Sequence, residues 1–259
     1  MTCLTDDGVR IAYDVAGPNG ASALVLLHSL GGSRDVWTRT RRALHAHART
    51  IAIELRGHGA SEAAAGDYSL ERLADDVEAV MDAEGVSRAD VAGVSIGGMV
   101  ALWMTRYRPA RVARACVVNS AAKIQDEAFW RQRMATVAAH GIAPLADASV
   151  SRWFTAEFAR AEPVVVQGFR DRLVATAPAG YLGCCAALRD ADLRAACAEV
   201  TRPVLVITGR HDASTPPVLG EWIAAQVPDA RLVEVPAAHL SPVEAPAEVA
   251  RALQQFLRG

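Results

Sequence analysis

The sequence predicts an α/β fold in which a mostly parallel central sheet is flanked by helices. Short, continuous apolar segments recur along the chain, as is typical of strands that are buried on both faces of a sheet. Segments with helical spacing of apolar residues alternate with them, as parallel strands with crossover helices require. The alternation stops between residues 120 and 200 and then resumes. We therefore predict a single domain over residues 1–259, with a core of residues 1–119 and 201–259 and a helical cap inserted at about 120–200.

Seven segments are predicted to be strands. Residues 9–15 alternate between apolar and polar side chains, which indicates a strand with one exposed face. Most of the others are continuous apolar runs bounded by turns, of which residues 17–20 (Gly-Pro-Asn-Gly) are an example. The predicted strands span residues 9–15, 23–28, 50–55, 90–94, 112–118, 204–209 and 230–235.

Helical spacing of apolar residues marks the segments between these strands. The clearest case begins at Ser69, carries an apolar face from Leu70 to Met81 and ends at Gly85. The other predicted helices of the core span residues 35–47, 99–107, 219–227 and 246–257. Residues 120–200 are also helical in pattern, rich in aromatic residues and interrupted by three prolines. We predict that this segment covers the carboxyl-terminal edge of the sheet.

The most informative motif is Gly93-Val94-Ser95-Ile96-Gly97, which lies between a predicted strand and a predicted helix. That is the context of a G-x-S-x-G nucleophile elbow, in which a sharp turn presents the serine hydroxyl alone in a cleft. The flanking glycines suit this turn, because the strand and helix backbones pass close together there. We predict that Ser95 is a catalytic nucleophile.

A serine nucleophile needs a histidine base, and the histidine needs a carboxylate to orient it. Asp212 follows the strand predicted at 204–209, and His239 follows the strand predicted at 230–235. The carboxyl ends of parallel strands are where an open α/β sheet gathers its active site. The chain order Ser, Asp, His is that of the α/β-hydrolases. We predict that His239 accepts the proton of Ser95 and that Asp212 fixes the imidazole tautomer.

Backbone N–H groups are predicted to stabilise the oxyanion. The residue after the nucleophile, Ile96, lies at a helix N-terminus, where free N–H groups favour negative charge. A second N–H is expected from Leu30 in the small-residue loop after the strand predicted at 23–28.

Six other histidines compete with His239 for the role of base. His28, His58 and His211 also flank strand ends, and we assign structural roles to them. The remaining three are interpreted as surface residues: His45, His47 and His140. Asp212 has an alternative role as a turn residue or helix cap before Ser214-Thr215-Pro216-Pro217. The adjacent Cys184 and Cys185 are interpreted as buried small hydrophobic residues.

Several local stretches make the chain resemble the 3-oxoadipate enol-lactonases, which are α/β-hydrolases of the β-ketoadipate pathway. The stretches are Ser29-Leu30-Gly31, Arg56-Gly57-His58-Gly59-Ala60-Ser61, Asn119-Ser120-Ala121-Ala122-Lys123-Ile124, Arg152-Trp153-Phe154-Thr155, residues 180–190 and Gly209-Arg210-His211-Asp212. The resemblance implies an α/β-hydrolase fold and the hydrolysis of 3-oxoadipate enol-lactone to 3-oxoadipate. It also implies that the substrate carries a carboxylate. Trp130, matched to a cap tryptophan of the family, is expected to contact the lactone acid through its indole N–H and ring. Arg133, one helical turn on, is expected to pair with the carboxylate.

Composition excludes several other classes of function. The net charge of −2 implies no attraction to nucleic acid or to a membrane surface. No apolar run approaches the length of a membrane span, and no signal peptide is visible. Five cysteines without metal spacing favour the reducing cytoplasm over a disulfide framework. The predicted serine mechanism needs neither a metal nor an organic cofactor, and we expect a small-molecule ester or lactone that carries a carboxylate as the substrate, while the sequence does not indicate the oligomeric state.

Two alternatives to the lactonase remain open. The same fold and triad are compatible with a carboxylesterase or a carbon–carbon bond hydrolase that acts on another small catabolic or natural-product ester. A non-catalytic binding protein of this fold is the other alternative, although it would have no need of Ser95, Asp212 and His239 together. A haloalkane dehalogenase is disfavoured, because its nucleophile is an aspartate and position 95 is a serine.

Overall fold

An eight-stranded sheet forms the centre of the molecule, with the strand order β1-β2-β4-β3-β5-β6-β7-β8. The structure, a computed structural model, describes residues 1–18, 21–44 and 48–258. The strands are β1 (Thr2–Leu4), β2 (Arg10–Ala16), β3 (Ala23–Leu27), β4 (Arg49–Ile53), β5 (Ala89–Val94), β6 (Val112–Val118), β7 (Val204–Gly209) and β8 (Ala230–Val235). The strands from β3 to β8 are parallel, whereas β1 and β2 pair antiparallel at one edge. The predicted fold class is therefore confirmed.

The parallel strands end at one edge of the sheet, and this arrangement positions the site. Strands β3, β5 and β7 are buried along their whole length, as their continuous apolar sequences predict. Ser95 directly follows β5, Asp212 follows β7 and His239 follows β8. Residues that lie far apart in the chain are thus brought to the same edge.

Eleven helices are assigned within the described residues. They are α1 (Thr38–Leu44), α2 (Leu70–Ala83), α3 (Ile96–Tyr107), α4 (Glu127–His140), α5 (Ala146–Trp153), α6 (Ala156–Ala161), α7 (Pro163–Ala175), α8 (Pro178–Asp190), α9 (Pro217–Gln226), α10 (Ser241–Glu244) and α11 (Pro246–Arg258). None of the helices in the described part of the chain is both long and apolar enough to cross a membrane.

Helix α2 illustrates how the sequence signals translate into structure. The Ser69 hydroxyl accepts a hydrogen bond from the Arg72 N–H, and Gly85 takes a left-handed φ of 66° just after the helix ends. The predicted apolar face is buried, but it also carries Asp76, which is buried with it. Asp76 forms an ion pair with the buried Arg56, so the pair ties α2 to the turn that follows β4.

Helices α4–α8, which we call the cap, lie between β6 and β7 in the segment predicted to be helical. Two ion pairs join the cap to the core near α1. The Arg172 guanidinium lies 2.9 Å from the Asp35 carboxylate, and that of Arg39 lies 3.2 Å from Glu162. Cap and core therefore meet through charged contacts as well as apolar ones.

The structure differs from the sequence prediction at several element ends. Strand β1 was missed, because three residues at a sheet edge carry too little pattern to detect. The strand predicted at 9–15 lies one residue later, at Arg10–Ala16. The helix predicted at 35–47 begins as a 3₁₀ turn, Arg34–Trp37, and continues as α1. Its predicted end, which includes His45 and His47, lies outside the described residues, as do residues 19 and 20 of the predicted turn.

Candidate active site

Ser95 occupies a strained turn between β5 and α3. Its φ of 57° and ψ of −119° lie outside the regions that a serine normally adopts. The turn is too tight for side chains on both sides: a Cβ at Gly93 would lie 2.0 Å from the Gly97 carbonyl oxygen. The Ser95 N–H donates to the carbonyl oxygens of Val118 and Asn119, both at 3.1 Å. The backbone is thus held by β6 while the hydroxyl projects into the cavity described below.

His239 and Asp212 form a buried, hydrogen-bonded pair. The imidazole Nδ1 lies 2.9 Å from the Asp212 Oδ2, and both side chains are almost fully inaccessible to solvent. Each residue lies in the loop after a parallel strand, so the pair stands over the edge where β7 and β8 end. This geometry places a proton on Nδ1 and leaves Nε2 to act as an acceptor.

Asp212 is held as a carboxylate by several donors. Its Oδ1 accepts from the N–H groups of Ser214 and Thr215 at 2.8 and 2.9 Å, and its Oδ2 accepts from the Thr215 hydroxyl at 2.7 Å. Burial acts to raise the pKa of Asp212, but the charge and hydrogen bond of His239 and the donors of Thr215 outweigh it and lower that pKa to about 2. Asp212 therefore remains ionised at neutral pH.

Asn119 is a member of this network that the sequence did not reveal. Its amide nitrogen donates to Asp212 Oδ2 at 3.0 Å and to the Ala238 carbonyl at 3.1 Å, and its amide oxygen accepts from the Ser241 hydroxyl. Its φ of 44° is left-handed, which asparagine tolerates better than most residues. One buried amide therefore joins the loops that carry the aspartate and the histidine.

A cavity of about 180 Å³ brings Ser95 and His239 together beneath the cap. Among the described residues no hydrogen bond joins the Ser95 hydroxyl to the imidazole, although both side chains line the cavity. In serine enzymes this bond often shortens only once substrate is bound.

Two buried histidines hold the loop that contains Leu30. His28 accepts from the Leu55 N–H at 3.0 Å through Nε2, and its Nδ1 lies 2.7 Å from the Ser29 carbonyl. His58 accepts from the Gly31 N–H at 3.0 Å through Nε2, and its Nδ1 faces the Arg56 carbonyl. This hydrogen-bond pattern assigns the neutral Nδ1–H tautomer to both rings.

Both histidines have lowered pKa values. Burial lowers the pKa of His28 to about 3, with a further contribution from the neighbouring His58, and burial lowers the pKa of His58 to about 4. The hydrogen bonds and the burial of both rings confirm the structural role predicted for them. Within the described residues, the N–H groups of Leu30 and Ile96 have no hydrogen-bond partner in the protein. Both groups are therefore available to an oxyanion.

The cap side of the cavity carries Trp130 and Arg133, which lie one turn apart on α4. The indole N–H of Trp130 donates to the Ile124 carbonyl at 2.7 Å, so it is not free for a substrate carboxylate, and this part of the prediction is corrected. Its ring still lines the cavity. Arg133 donates to the Tyr181 hydroxyl at 2.6 and 2.8 Å and to the Ser149 hydroxyl at 2.9 Å, which are both neutral partners.

Arg152 and Tyr181 complete this side of the cavity. Among the described residues, no hydrogen bond or ion pair involves the Arg152 guanidinium, and no carboxylate lies within 4 Å of Arg133. The pKa of Arg152 is lowered by burial and by the charge of Arg133. Burial raises the pKa of Tyr181 to about 12, although the charge of Arg133 opposes it, so the phenol keeps its proton and can donate it. The cavity therefore presents two cations without an anion.

The chain matches the alpha/beta hydrolase fold family over residues 22–246, which is most of its length. It belongs to the α/β-hydrolases. A 3-oxoadipate enol-lactonase from Acinetobacter baylyi is 31% identical over 98% of this chain and 96% of the relative. The crystal structure of an enol-lactonase from Burkholderia xenovorans is 34% identical, with a TM-score of 0.97 and 100% of both chains covered. An esterase from Thermogutta terrifontis, solved with malate bound, is 25% identical, with a TM-score of 0.93 over 100% of this chain and 97% of the other.

These relatives support an enzyme that hydrolyses a small-molecule ester or lactone. In this α/β-hydrolase the structure brings the predicted Ser95, Asp212 and His239 to one edge and sets Trp130 and Arg133 opposite them. His140 is exposed, and Cys184 and Cys185 are buried, as predicted, whereas His211, for which we predicted a structural role, is exposed. The residues that sequence reasoning missed were Asn119, Thr215, Arg152 and Tyr181. The signals for Asn119 were its place directly after a buried strand and its place in one of the stretches that carry the resemblance, and neither indicated its role.

Proposed function

We propose that this hydrolase cleaves the ring ester of 3-oxoadipate enol-lactone to give 3-oxoadipate. The observation that carries the proposal is the cavity, which has Ser95 and the Asp212–His239 pair on one wall and two arginines without a carboxylate partner in the described residues on the other. A lactone with a carboxylate side arm suits such a cavity. The relatives named as enol-lactonases add to this support.

In the proposed reaction the Ser95 oxygen attacks the lactone carbonyl while His239 accepts the hydroxyl proton. The N–H groups of Leu30 and Ile96 stabilise the oxyanion, and one such donor contributes about 3 kcal/mol to transition-state stabilisation. The ring C–O bond then breaks, and His239 returns the proton to the departing enolate oxygen, which gives an enol that rearranges to the ketone. Water hydrolyses the acyl-enzyme in the same manner, and Asp212 stabilises the imidazolium in both steps.

The substrate carboxylate is proposed to bind at Arg133 and Arg152. A charge-assisted hydrogen bond to a guanidinium is about twice as strong as a neutral one. The Tyr181 hydroxyl, which accepts from Arg133, still has its own proton to donate to the same carboxylate. This subsite would hold the side arm against the cap while the lactone carbonyl faces Ser95.

The test is a direct comparison of substrates. Purified enzyme is assayed with the enol-lactone and, in parallel, with 4-nitrophenyl acetate, and Ser95→Ala serves as the blank for both. We expect kcat/KM to be higher for the enol-lactone by orders of magnitude. Faster turnover of the simple ester by a similar margin would refute the proposal.

A second candidate is a carboxylesterase that acts on open-chain esters bearing an acid group. The similarity to the malate-bound esterase favours it, since malate is itself a dicarboxylate. Monomethyl succinate separates the two candidates, because it has the acid group but no enol leaving group. Turnover of that ester at the rate of the enol-lactone would favour the esterase.

We also propose a cytoplasmic setting for the enzyme. All five cysteines are free, and four of them are buried. Thiols that are not paired suit a reducing compartment. Fractionation of the host cell, followed by an immunoblot, tests this proposal.

A further inference from the structure

Glu244 connects the cap to the loop that carries His239. It lies at the end of α10, five residues after the histidine. One carboxylate oxygen accepts from the Thr155 N–H at 3.2 Å and from the Thr155 hydroxyl, and the other accepts from the Ala238 N–H at 3.0 Å. Thr155 caps α6 in the cap, whereas Ala238 directly precedes the histidine. A single side chain thus holds both segments.

A second contact joins the same two segments on the other side of the histidine. The Leu240 N–H donates to the Trp153 carbonyl at 3.0 Å. The residues before and after His239 are therefore both bonded, directly or through Glu244, to the cap turn at 153–155. Trp153 lines the cavity, and so does the preceding Arg152.

The core also supports this loop, in part through the His211 N–H, which donates to the Ala237 carbonyl at 3.0 Å. Asp212 holds the imidazole Nδ1, and Asn119 donates to the Ala238 carbonyl. These contacts fix the orientation of the imidazole ring and of the backbone carbonyl groups before it. The N–H groups of Ala238 and Leu240 are bonded on the side that faces the cap, to Glu244 and to the Trp153 carbonyl.

We propose that Glu244 is a positioning residue for His239. Through Glu244, the position of the cap on the core determines the alignment of Ser95, His239 and Asp212. This inference rests on the proposed role of His239 as the base. It does not depend on which ester is the substrate. If the cap turn were displaced, the loop that carries His239 would move with it. Substrate that fills the cavity and holds the cap in position therefore also holds the base in place.

The decisive variant is Glu244→Gln. Glutamine has the same length, but its amide nitrogen donates hydrogen bonds and cannot accept them. It must face the N–H of either Thr155 or Ala238, and that N–H then has no acceptor. We expect kcat on 4-nitrophenyl acetate to fall about tenfold to a hundredfold, since small misplacements of a catalytic group cost on that order. KM should change by less than about twofold, because Glu244 does not line the cavity. The rate of inactivation by a small neutral phosphonofluoridate should fall with kcat, because it depends on the Ser95–His239 pair alone.

Glu221→Gln is the matched control, because this exposed glutamate on α9 makes no hydrogen bond or ion pair with the described residues. It should leave kcat unchanged. Normal kcat and normal inactivation in Glu244→Gln would overturn the inference.

If Glu244→Gln also lowers the melting temperature, a double-mutant cycle with Thr155→Val decides the question. Thr155→Val removes the hydroxyl from the cap side, and Thr155→Ser, which keeps the hydroxyl, should retain wild-type kcat. The double variant should lose no more kcat than Glu244→Gln alone, whereas additive losses would overturn the inference. Its failure is distinguishable from failure of the proposed function. If His239→Ala is inactive while Glu244→Gln is normal, only the positioning role fails.

Discussion

The two walls of the cavity differ in whether their charged groups are paired. The core wall carries Ser95 and the Asp212–His239 pair, and the cap wall carries Arg133 and Arg152. On the core wall, Asp212 accepts hydrogen bonds from four residues, and Asn119 bonds through both ends of its amide. On the cap wall, Arg133 meets only neutral hydroxyls, and Arg152 has no partner within the described part of the chain. The charged group of the core wall, the Asp212 carboxylate, is fully paired without substrate, whereas the cap wall lacks an anion. Under the proposed function, the core would provide the chemistry and the cap would select the ester.

Replacement of the nucleophile should give the largest effect of any change on the core wall. We expect Ser95→Ala to lower kcat by a factor of about 10⁶ on charged and neutral esters alike, and His239→Ala to cost about as much. Circular dichroism should show an unchanged fold. The control is Ser151→Ala, an exposed serine in the cap. A near-normal rate in His239→Ala would mean that another group is the base.

The orienting carboxylate should come next in size. Asp212→Asn keeps the shape of the side chain but removes the acceptor for the Nδ1–H, so the wrong tautomer is favoured. A loss of about 10⁴ in kcat is expected, with KM little changed. Asp229→Asn, at an exposed position, is the control for the loss of one charge. A loss of less than tenfold would contradict the role of Asp212.

A change on the cap wall should separate charged from neutral substrates. Arg152→Met should raise KM for 4-nitrophenyl hydrogen succinate about tenfold to a hundredfold, which is the worth of one hydrogen bond to a charged group. KM and kcat for 4-nitrophenyl acetate should stay the same. Arg160→Met removes an exposed arginine from the same cap and should affect neither ester. Equal losses on both esters would show that Arg152 supports the fold rather than the carboxylate.

The last expected effect is on stability rather than on rate, and it concerns the core wall in acid. Because the pKa values of His28 and His58 are lowered to about 3 and 4, the unfolded chain binds more protons than the native protein once the pH falls below about 6.5. The free energy of unfolding should therefore decrease as the pH falls from about 6.5 to about 4.

His58→Gln offers the Gly31 N–H an acceptor that does not titrate. Urea unfolding at a series of pH values should give a shallower decrease for this variant than for the wild type. Parallel curves would mean that His58 is not the origin of the acid sensitivity.

The core wall was predictable from the sequence and most of the cap wall was not. Ser95 and Asp212 follow buried apolar strands, His239 follows the shorter-patterned strand β8, and parallel strands end at one edge of the sheet. Helix α4, in contrast, buries only two of its side chains and carries polar residues on every side, so its sequence does not indicate which face meets the cavity.

Contacts between distant segments explain the remaining differences. The carbonyl that takes up the Trp130 N–H belongs to Ile124, next to Gln125 with a left-handed φ of 58°. No local sequence pattern predicts that turn. Arg152 was part of a recognised stretch, but only packing reveals that its guanidinium enters the cavity without an ion-pair partner among the described residues.

The backbone of Ser95 has a consequence for engineering. A non-glycine residue in such a conformation costs about 1–3 kcal/mol of folding free energy. Glycine would adopt the same angles with little strain, so selection for heat resistance alone would favour the loss of the hydroxyl. Variant libraries made to raise thermal stability must therefore be screened for turnover and melting temperature together, because at this position a gain in stability comes with a loss of activity.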